Sequence, residues 1–290
     1  MASRRTSEPA PRATSRSTNL LSHHDDAKWL RFGSLSHYAE PAYYDKCYAA
    51  RRDDVAFYTT LAAARRPDGV LEYGCGNGRI TLALAREGHR VVGVDLSRPM
   101  LSAFEQHLAD QPPDVRKRVS LRHGDMRDVR LRRRFGLVLC TFNTFLHLYE
   151  RADVERFLTR VRGHLRPGGR FAFDTSLPLP EELARNPARP YRVPRLKYPP
   201  TGQIVKYAEY FDYDPMCQVL RVTMRFEPLD APDEAWTVLL THRQYHPCEI
   251  EALLHYNGFE LESVHPDFVR QGSCEVAADS IAWVAKLRND

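Results

Sequence analysis

The spacing of apolar residues changes several times along the chain, and each change marks an element. Val55, Tyr58, Leu61 and Ala62 recur at helical spacing ahead of the breaker Pro67-Asp68-Gly69, so residues 25–66 read as short helices. Val70 to Tyr73 is a short apolar strand, Gly74 to Gly78 a glycine-rich turn, and Ile80 to Arg86 a helix closed before Gly88. Val91 to Val94 is a second strand ending at Asp95. Ser97-Arg98-Pro99 then supplies a cap residue and a first-turn proline for a helix continued by Met100, Leu101, Phe104 and Leu108. Val119 to Leu121 and Leu137 to Cys140 follow as strands. Val154, Phe157, Leu158, Val161 and Leu165 share one helix face, Pro167-Gly168-Gly169 stops that helix, and Phe171 to Phe173 is a fifth strand. Strands alternating with helices predict an α/β fold, a parallel sheet covered on both faces.

The rhythm breaks after residue 176. Pro178, Pro180, Pro187, Pro190, Pro194, Pro199 and Pro200 predict an irregular connector. Ile204 to Tyr213, Cys217 to Phe226 and Trp236 to Tyr245 then read as three long strands, separated by Asp214-Pro215 and by Pro228 to Pro232, which suggests an antiparallel meander. Pro247 opens a helix carrying Ile250, Leu253 and Leu254 that Asn257-Gly258 closes, and two strands near Phe259 to Val264 and Ile281 to Leu287 end the pattern. The expected organisation is one domain over 21–290, with a helical segment at 25–66 and an antiparallel insert at 177–246. Residues 1–20 read as a disordered tail, rich in Ser, Arg, Thr and Pro and without apolar periodicity.

Composition changes this picture little. The net charge is +5, and the tail carries Arg4, Arg5, Arg12 and Arg16 against Glu8, so the folded part is nearly neutral. A strongly basic nucleic-acid binder is not indicated. The stretch from Arg116 to Arg134 is basic but has no interleaved aromatic platform, which favours a solvated face over an RNA contact. No apolar run approaches the length that crosses a bilayer. Cys47, Cys75, Cys140, Cys217, Cys248 and Cys274 form no close pair, and no secretory leader precedes them, so a reduced, cytoplasmic protein without a metal is expected.

The chemistry gathers at strand ends. Glycines at 74, 76 and 78 let the backbone turn tightly and approach a ligand, and Asp95, 21 residues after Gly74, suits a ribose diol. A dinucleotide loop would place glycine where Arg79 stands, so a nicotinamide oxidoreductase is disfavoured. Glu72 puts an acid under the loop, as a ligand with an amino-acid tail and no phosphate requires.

With these residues in view, 70–175 resembles the class I S-adenosylmethionine-dependent methyltransferases, and the small-molecule and amino-sugar N-methyltransferases among them. Glu72, Gly74, Gly76 and Gly78 match the first motif, Asp95 the ribose acid, Gly124-Asp125-Met126-Arg127-Asp128 the turn after the third strand, and Arg166-Pro167-Gly168-Gly169 the loop before the fifth. The resemblance implies a Rossmann-like, doubly wound, seven-stranded, mostly parallel sheet with the insert as a cap. It implies S-adenosyl-L-methionine as cofactor and S-adenosyl-L-homocysteine as product. It places Asp125 on the adenine amine and Met126 on the ring, with Cys75, Leu96 and Cys140 lining the same site. The segment Phe142-Asn143-Thr144-Phe145-Leu146-His147-Leu148 is similar to the stretch that carries the family's acceptor histidine. His147 is therefore the first candidate for orienting or deprotonating an acceptor, with Asn143 beside it and Tyr44 in a closing N-terminal segment. Packing roles are the alternative for all three. In the insert, Arg221, Thr223 and Arg225 share a face that either meets an anionic group or forms a solvated or homodimer contact. The expected function is methyl transfer to N or O of a small-molecule acceptor. The alternatives are an RNA or protein methyltransferase, or a non-catalytic cofactor-binding regulator.

Overall fold

The computed structural model describes residues 23–65, 68–269 and 278–288, so the expected tail at 1–20 and Cys274 lie outside the described residues. Three helices, α1 (His23–Ser36), α2 (Pro41–Tyr48) and α3 (Asp53–Arg65), lead into β1 (Val70–Tyr73). There follow α4 (Arg79–Arg86), β2 (Val91–Asp95), α5 (Arg98–Ala109), α6 (Pro113–Arg116), β3 (Val119–His123) and β4 (Phe135–Cys140). A 3-10 turn (Thr144–His147), α7 (Arg151–His164), β5 (Leu165–Ser176) and α8 (Pro180–Leu183) complete this run. The second sheet comprises β6 (Arg195–Lys197), β7 (Ile204–Asp214), β8 (Val219–Pro228) and β9 (Trp236–Arg243), after which α9 (Pro247–Tyr256), β10 (Phe259–Pro266) and β11 (Ser280–Leu287) close the main sheet.

The seven-stranded sheet has the order β10-β11-β5-β4-β1-β2-β3. It is parallel except at β11, which runs antiparallel to both β5 and β10. The strand order turns back between β1 and β4, and in open parallel sheets ligands bind beyond the carboxyl ends of the strands at that point. The central strands are mostly apolar because both faces are covered, with Glu72 of β1 and Asp174 of β5 the buried acids among them. Leu71, Tyr73, Val138, Phe171 and Phe173 face one core with Phe157, Leu158 and Ile250, while Val70, Leu137, Leu139 and Ala172 face the other with Tyr58, Ala62 and Leu84. Ser97 caps α5 as its sequence suggested, its hydroxyl accepting from the Met100 amide at 3.4 Å.

Several elements depart from the sequence expectation. Strand β5 starts at Leu165 and takes in Pro167-Gly168-Gly169, and β9 ends at Arg243 rather than Tyr245. The proline-rich connector contains β6, which pairs with β7 because Leu196 packs into the sheet's apolar face. Strand β8 begins at Val219 rather than Cys217. Asp214 Oδ1 accepts from the amides of Met216 and Cys217 at 2.9 and 3.2 Å, and Gln218 adopts φ 55°, so these residues form a tight turn.

The four-stranded sheet turns its apolar face inward. Val205, Tyr207, Met224, Phe226 and Trp236 pack there with Tyr43 of α2 and Tyr198. Arg221, Thr223 and Arg225 alternate with these and lie on the opposite face. Arg221 stands 3.9 Å from Asp212 and 3.7 Å from Asp214, and Arg225 3.3 Å from Glu227. Of the two readings of these arginines, an anion contact or a solvated outer face, the ion pairs within the sheet fit the second. Helix α1 crosses β9, where the Ser36 hydroxyl accepts from the Leu239 amide at 3.3 Å and a side chain at Gly33 would strike Thr241.

Candidate functional site

The glycine loop follows β1 with Gly74, Gly76 and Gly78 at φ 66°, 54° and 96°, conformations that favour glycine. Added side chains would strike Thr144 at Gly74 and the Phe104 ring at Gly78. Asp95 holds this loop from below. Its two carboxylate oxygens accept from the amides of Gly76 and Ser97, each at 2.7 Å. Burial pushes the Asp95 carboxyl upward while those amides oppose the shift. Glu72 is 1% exposed and accepts from the hydroxyls of Thr81 on α4 and Thr141 after β4, the latter at 2.8 Å. Burial pushes its carboxyl up to about 7, against those two hydrogen bonds.

Across the switch point, β4 leaves the sheet through Phe142 and Asn143, at φ 55° and 61°. Two consecutive non-glycine residues in the left-handed region need external support. Asp174, near the end of β5, supplies it by accepting from the amides of Phe142 at 2.8 Å and Asn143 at 3.1 Å, and from the Tyr58 hydroxyl at 2.6 Å. Asn143 in turn accepts from the Ser176 amide at 2.6 Å. Arg79 lies over the Phe142 ring at 4.9 Å while donating to Asp54, which joins α3 to the start of α4. Asn77 donates to Asp45, so α2 also reaches the loop.

Above this turn sits a cluster of histidines and tyrosines. His147 Nε2 is 2.8 Å from the Tyr38 hydroxyl and Nδ1 is 3.2 Å from the Tyr149 hydroxyl. His37 Nε2 is 3.0 Å from the Tyr48 hydroxyl, and the His242 ring lies 5.0 Å from that of His147. Burial pushes His147 and His37 down to about 4 and His242 well below the ordinary value, and the proximity of His37 lowers both others further. All three imidazoles are neutral at pH 7. Tyr44 is buried in the same cluster, its ring 5.9 Å from those of Tyr38 and His37 and 6.2 Å from that of Phe142. The Tyr38 carbonyl accepts from Ser97 at 3.3 Å, which ties the cluster to the Asp95 side of the cleft.

The structure therefore brings together Glu72, the glycines, Asp95, Asn143, Tyr44 and His147. Leu96, beside Asp95, is 44% exposed, an apolar surface left open at the strand end. Met126 is half-buried against the main core. Cys75 is buried, and a side chain at Gly93 would strike its sulfur, so it fills space under the loop. Cys140 is set apart from the open cleft. Its side chain is fully buried within the sheet, because alternation along β4 turns it into the core. Asp125 is also placed differently from the expected free acceptor. Arg127 donates to both its oxygens, at 2.7 to 3.1 Å, and to Asp153 at 2.9 Å. Burial disfavours its charge, but Arg127 outweighs that and holds the carboxyl below its ordinary value. Asp174, Tyr38, His37 and His242 were missed. Asp174 shared a readable signal with Glu72 and Asp95, an acid at or near the carboxyl end of a buried strand.

The basic stretch 116–134 spends charges locally. Arg118 pairs with Asp114 at 2.9 Å, Arg127 with Asp125 and Asp153, and Arg133 lies over Phe135 at 5.3 Å. Among the described residues no group of His, Cys, Asp and Glu is placed to hold a metal ion, and no helix is long and apolar enough to cross a membrane.

Comparison with known proteins agrees with this geometry. Residues 70–169 match the family described as "Methyltransferase domain". The cypemycin N-terminal methyltransferase of a Streptomyces species is 32% identical over 166 residues, 54% of this chain and 65% of that protein. The dTDP-3-amino-3,6-dideoxy-alpha-D-glucopyranose N,N-dimethyltransferase of Streptomyces fradiae is 36% identical over 100 residues, 34% of this chain and 36% of that protein. The chain thus spans about a third to just under two thirds of these curated relatives. Among solved structures, the CcbJ methyltransferase from Streptomyces caelestis superposes with a TM-score of 0.71 at 23% identity, covering 88% of this chain and 99% of that one. An S-adenosylmethionine-dependent methyltransferase from Clostridium acetobutylicum gives 0.68 at 20% identity, over 85% and 96%.

Proposed function

Residues 70–169 being a methyltransferase domain set in the class I methyltransferase fold, we propose that the chain moves a methyl group from S-adenosylmethionine to N or O of a small-molecule acceptor. One observation carries this reading. The glycine loop with Asp95 and the His147 cluster stand on the two sides of the β1/β4 switch point, a nucleoside cradle facing a neutral base. Relatives named for N-methylation of a sugar amine and of a peptide N-terminus support a nitrogen acceptor.

The residues present fit the cofactor. Asp95 would take the ribose hydroxyls, since a carboxylate oxygen has more than one lone pair and those that hold the Gly76 and Ser97 amides can accept further donors. The exposed Leu96 offers an apolar wall for a flat ring, and Met126 is a half-buried apolar side chain after the third strand. Glu72 lies under the loop as the negative partner of a cationic ligand. When bound, the cofactor supplies an electrophilic methyl group on a positively charged sulfur. The chain's own work is placement, dryness and a hydrogen-bond acceptor that orients the nucleophile. A neutral His147 has one lone pair, directed at Tyr38 or Tyr149 according to tautomer, and an acceptor N–H or O–H can replace that hydroxyl. Asp174 fixes the Phe142-Asn143 turn that leads to it. Close approach of nucleophile and methyl can supply most of the acceleration. The site of action in this reading is the cytoplasm, and two copies would pair through the outer face of the insert sheet, which sedimentation tests directly.

Calorimetry with S-adenosylhomocysteine, followed by methyl transfer from labelled cofactor to a panel of amines, phenols and acids, tests the reading. Binding with transfer is the expected result. Binding without transfer to any acceptor would leave a cofactor-sensing protein instead.

A further inference from the structure

Buried polar atoms almost always find partners, so the exceptions point to missing ones. Two such exceptions lie in the His/Tyr cluster. His37 Nδ1 and His242 Nε2 are buried and have no hydrogen-bond partner. His37 itself is 4% exposed, and its other nitrogen is occupied by Tyr48. The two rings come from α1 and its following turn and from β9, elements that meet over His147 and that both lie outside residues 70–169.

We propose that His37 Nδ1 and His242 Nε2 bind the acceptor, which is an uncharged amine or alcohol flanked by further hydroxyl groups. This rests on the methyl-transfer reading above. Both nitrogens of His147 are taken up by tyrosine hydroxyls, so His147 meets the reacting group by exchanging one hydroxyl for it. The orphaned nitrogens then need separate partners, one on the side of α1 and one on the side of β9. Hydroxyls suit both, because a hydroxyl can donate to a bare ring nitrogen or accept from a protonated one. A carboxylate or phosphate suits them less well, because a bare ring nitrogen has no proton to donate to it. Of the charged groups near the cluster, Asp95 is engaged by the amides of Gly76 and Ser97, Arg79 by Asp54, Arg127 by Asp125 and Asp153, and Glu209 by the Tyr207 hydroxyl, while Arg51 lies over the Phe142 ring at 5.3 Å. A site built to hydrogen-bond such groups rejects analogues that lack them, since the nitrogens would otherwise stay unpaired in the complex.

The test compares two acceptors with labelled S-adenosylmethionine. Glucosamine carries a hydroxyl on each side of its amine, and cyclohexylamine carries none. The expected kcat/KM for glucosamine is about tenfold or more above that for cyclohexylamine. His37→Phe and His242→Phe should each bring that preference to within about twofold, through KM, with the affinity for S-adenosylhomocysteine retained. His37→Asn and His242→Gln, whose amides reach toward the lost nitrogen, should restore part of it and keep the test open where a phenylalanine variant does not fold. Equal rates for the two acceptors, no methylation of either by a protein that binds S-adenosylhomocysteine, or a preference that survives both phenylalanine variants would overturn the proposal. Failure to bind S-adenosylhomocysteine would instead overturn the methyl-transfer reading beneath it.

Discussion

Replacing Glu72 by Gln should make the protein more stable at alkaline pH and worse at holding its cofactor. The carboxyl is 1% exposed and sits between Thr81 and Thr141. Burial lifts its pKa from the ordinary 4.5 to about 7. Its folded pKa lies above its unfolded one, so its contribution is most favourable below about pH 4.5 and is lost as pH rises through about 7. At about 1.4 kcal/mol per pH unit, the full loss by pH 8 is about 3 kcal/mol. Glutamine removes that loss, but its NH2 cannot accept, so one of the two threonine hydroxyls gives up its bond, which returns about 1 kcal/mol. The net gain at pH 8 is about 2 kcal/mol, or roughly 5 °C in melting temperature for a domain of this size. Near pH 4.5 the advantage disappears. Thermal melts of both proteins from pH 4.5 to 8, without cofactor, measure the effect. Calorimetry at pH 8 should show S-adenosylmethionine binding weakened by about threefold to tenfold, because the negative charge under the loop is gone. A melting difference that does not grow with pH, or a variant less stable at pH 8, would refute a destabilising buried carboxylate.

Three further outcomes follow from the site. Asp95→Ala should weaken S-adenosylhomocysteine binding about tenfold or more in calorimetry, since it removes both the ribose partner and the anchor of the Gly76 amide. Gly78→Ala should lower the melting temperature by about 5 °C or more, because φ is 96° and the new methyl group meets the Phe104 ring. His147→Ala should reduce turnover by about a hundredfold with cofactor affinity nearly intact, in steady-state assays paired with calorimetry.

The main sheet was legible in the chain because its strands are continuous apolar runs between glycine and proline breaks. Val70–Tyr73 and Val91–Asp95 appear where the pattern placed them. The cofactor side was legible because its residues are local, one loop and the acid after the next strand. What the pattern missed was assembled from afar. His37, His147 and His242 are separated by roughly a hundred positions each, and nothing in their neighbourhoods marks them as partners. The burial of Cys140 was hidden for a related reason, since its position at a strand end does not reveal which face its side chain takes. Asp125 follows the family's motif, yet Arg127, two residues on, occupies it in a way only coordinates disclose.

The crossing of α1 over β9 bears on how acceptor choice could be transplanted. The roof of the cleft is split between a segment at the front of the chain and one beyond residue 200, and the domain match at 70–169 contains neither. Grafting the insert alone into a related scaffold would pair a foreign β9 with the resident helix, where Gly33 has no room for a side chain against Thr241 and Ser36 caps the Leu239 amide. The two pieces therefore pack as one unit, and a chimera that keeps this contact has to exchange them together.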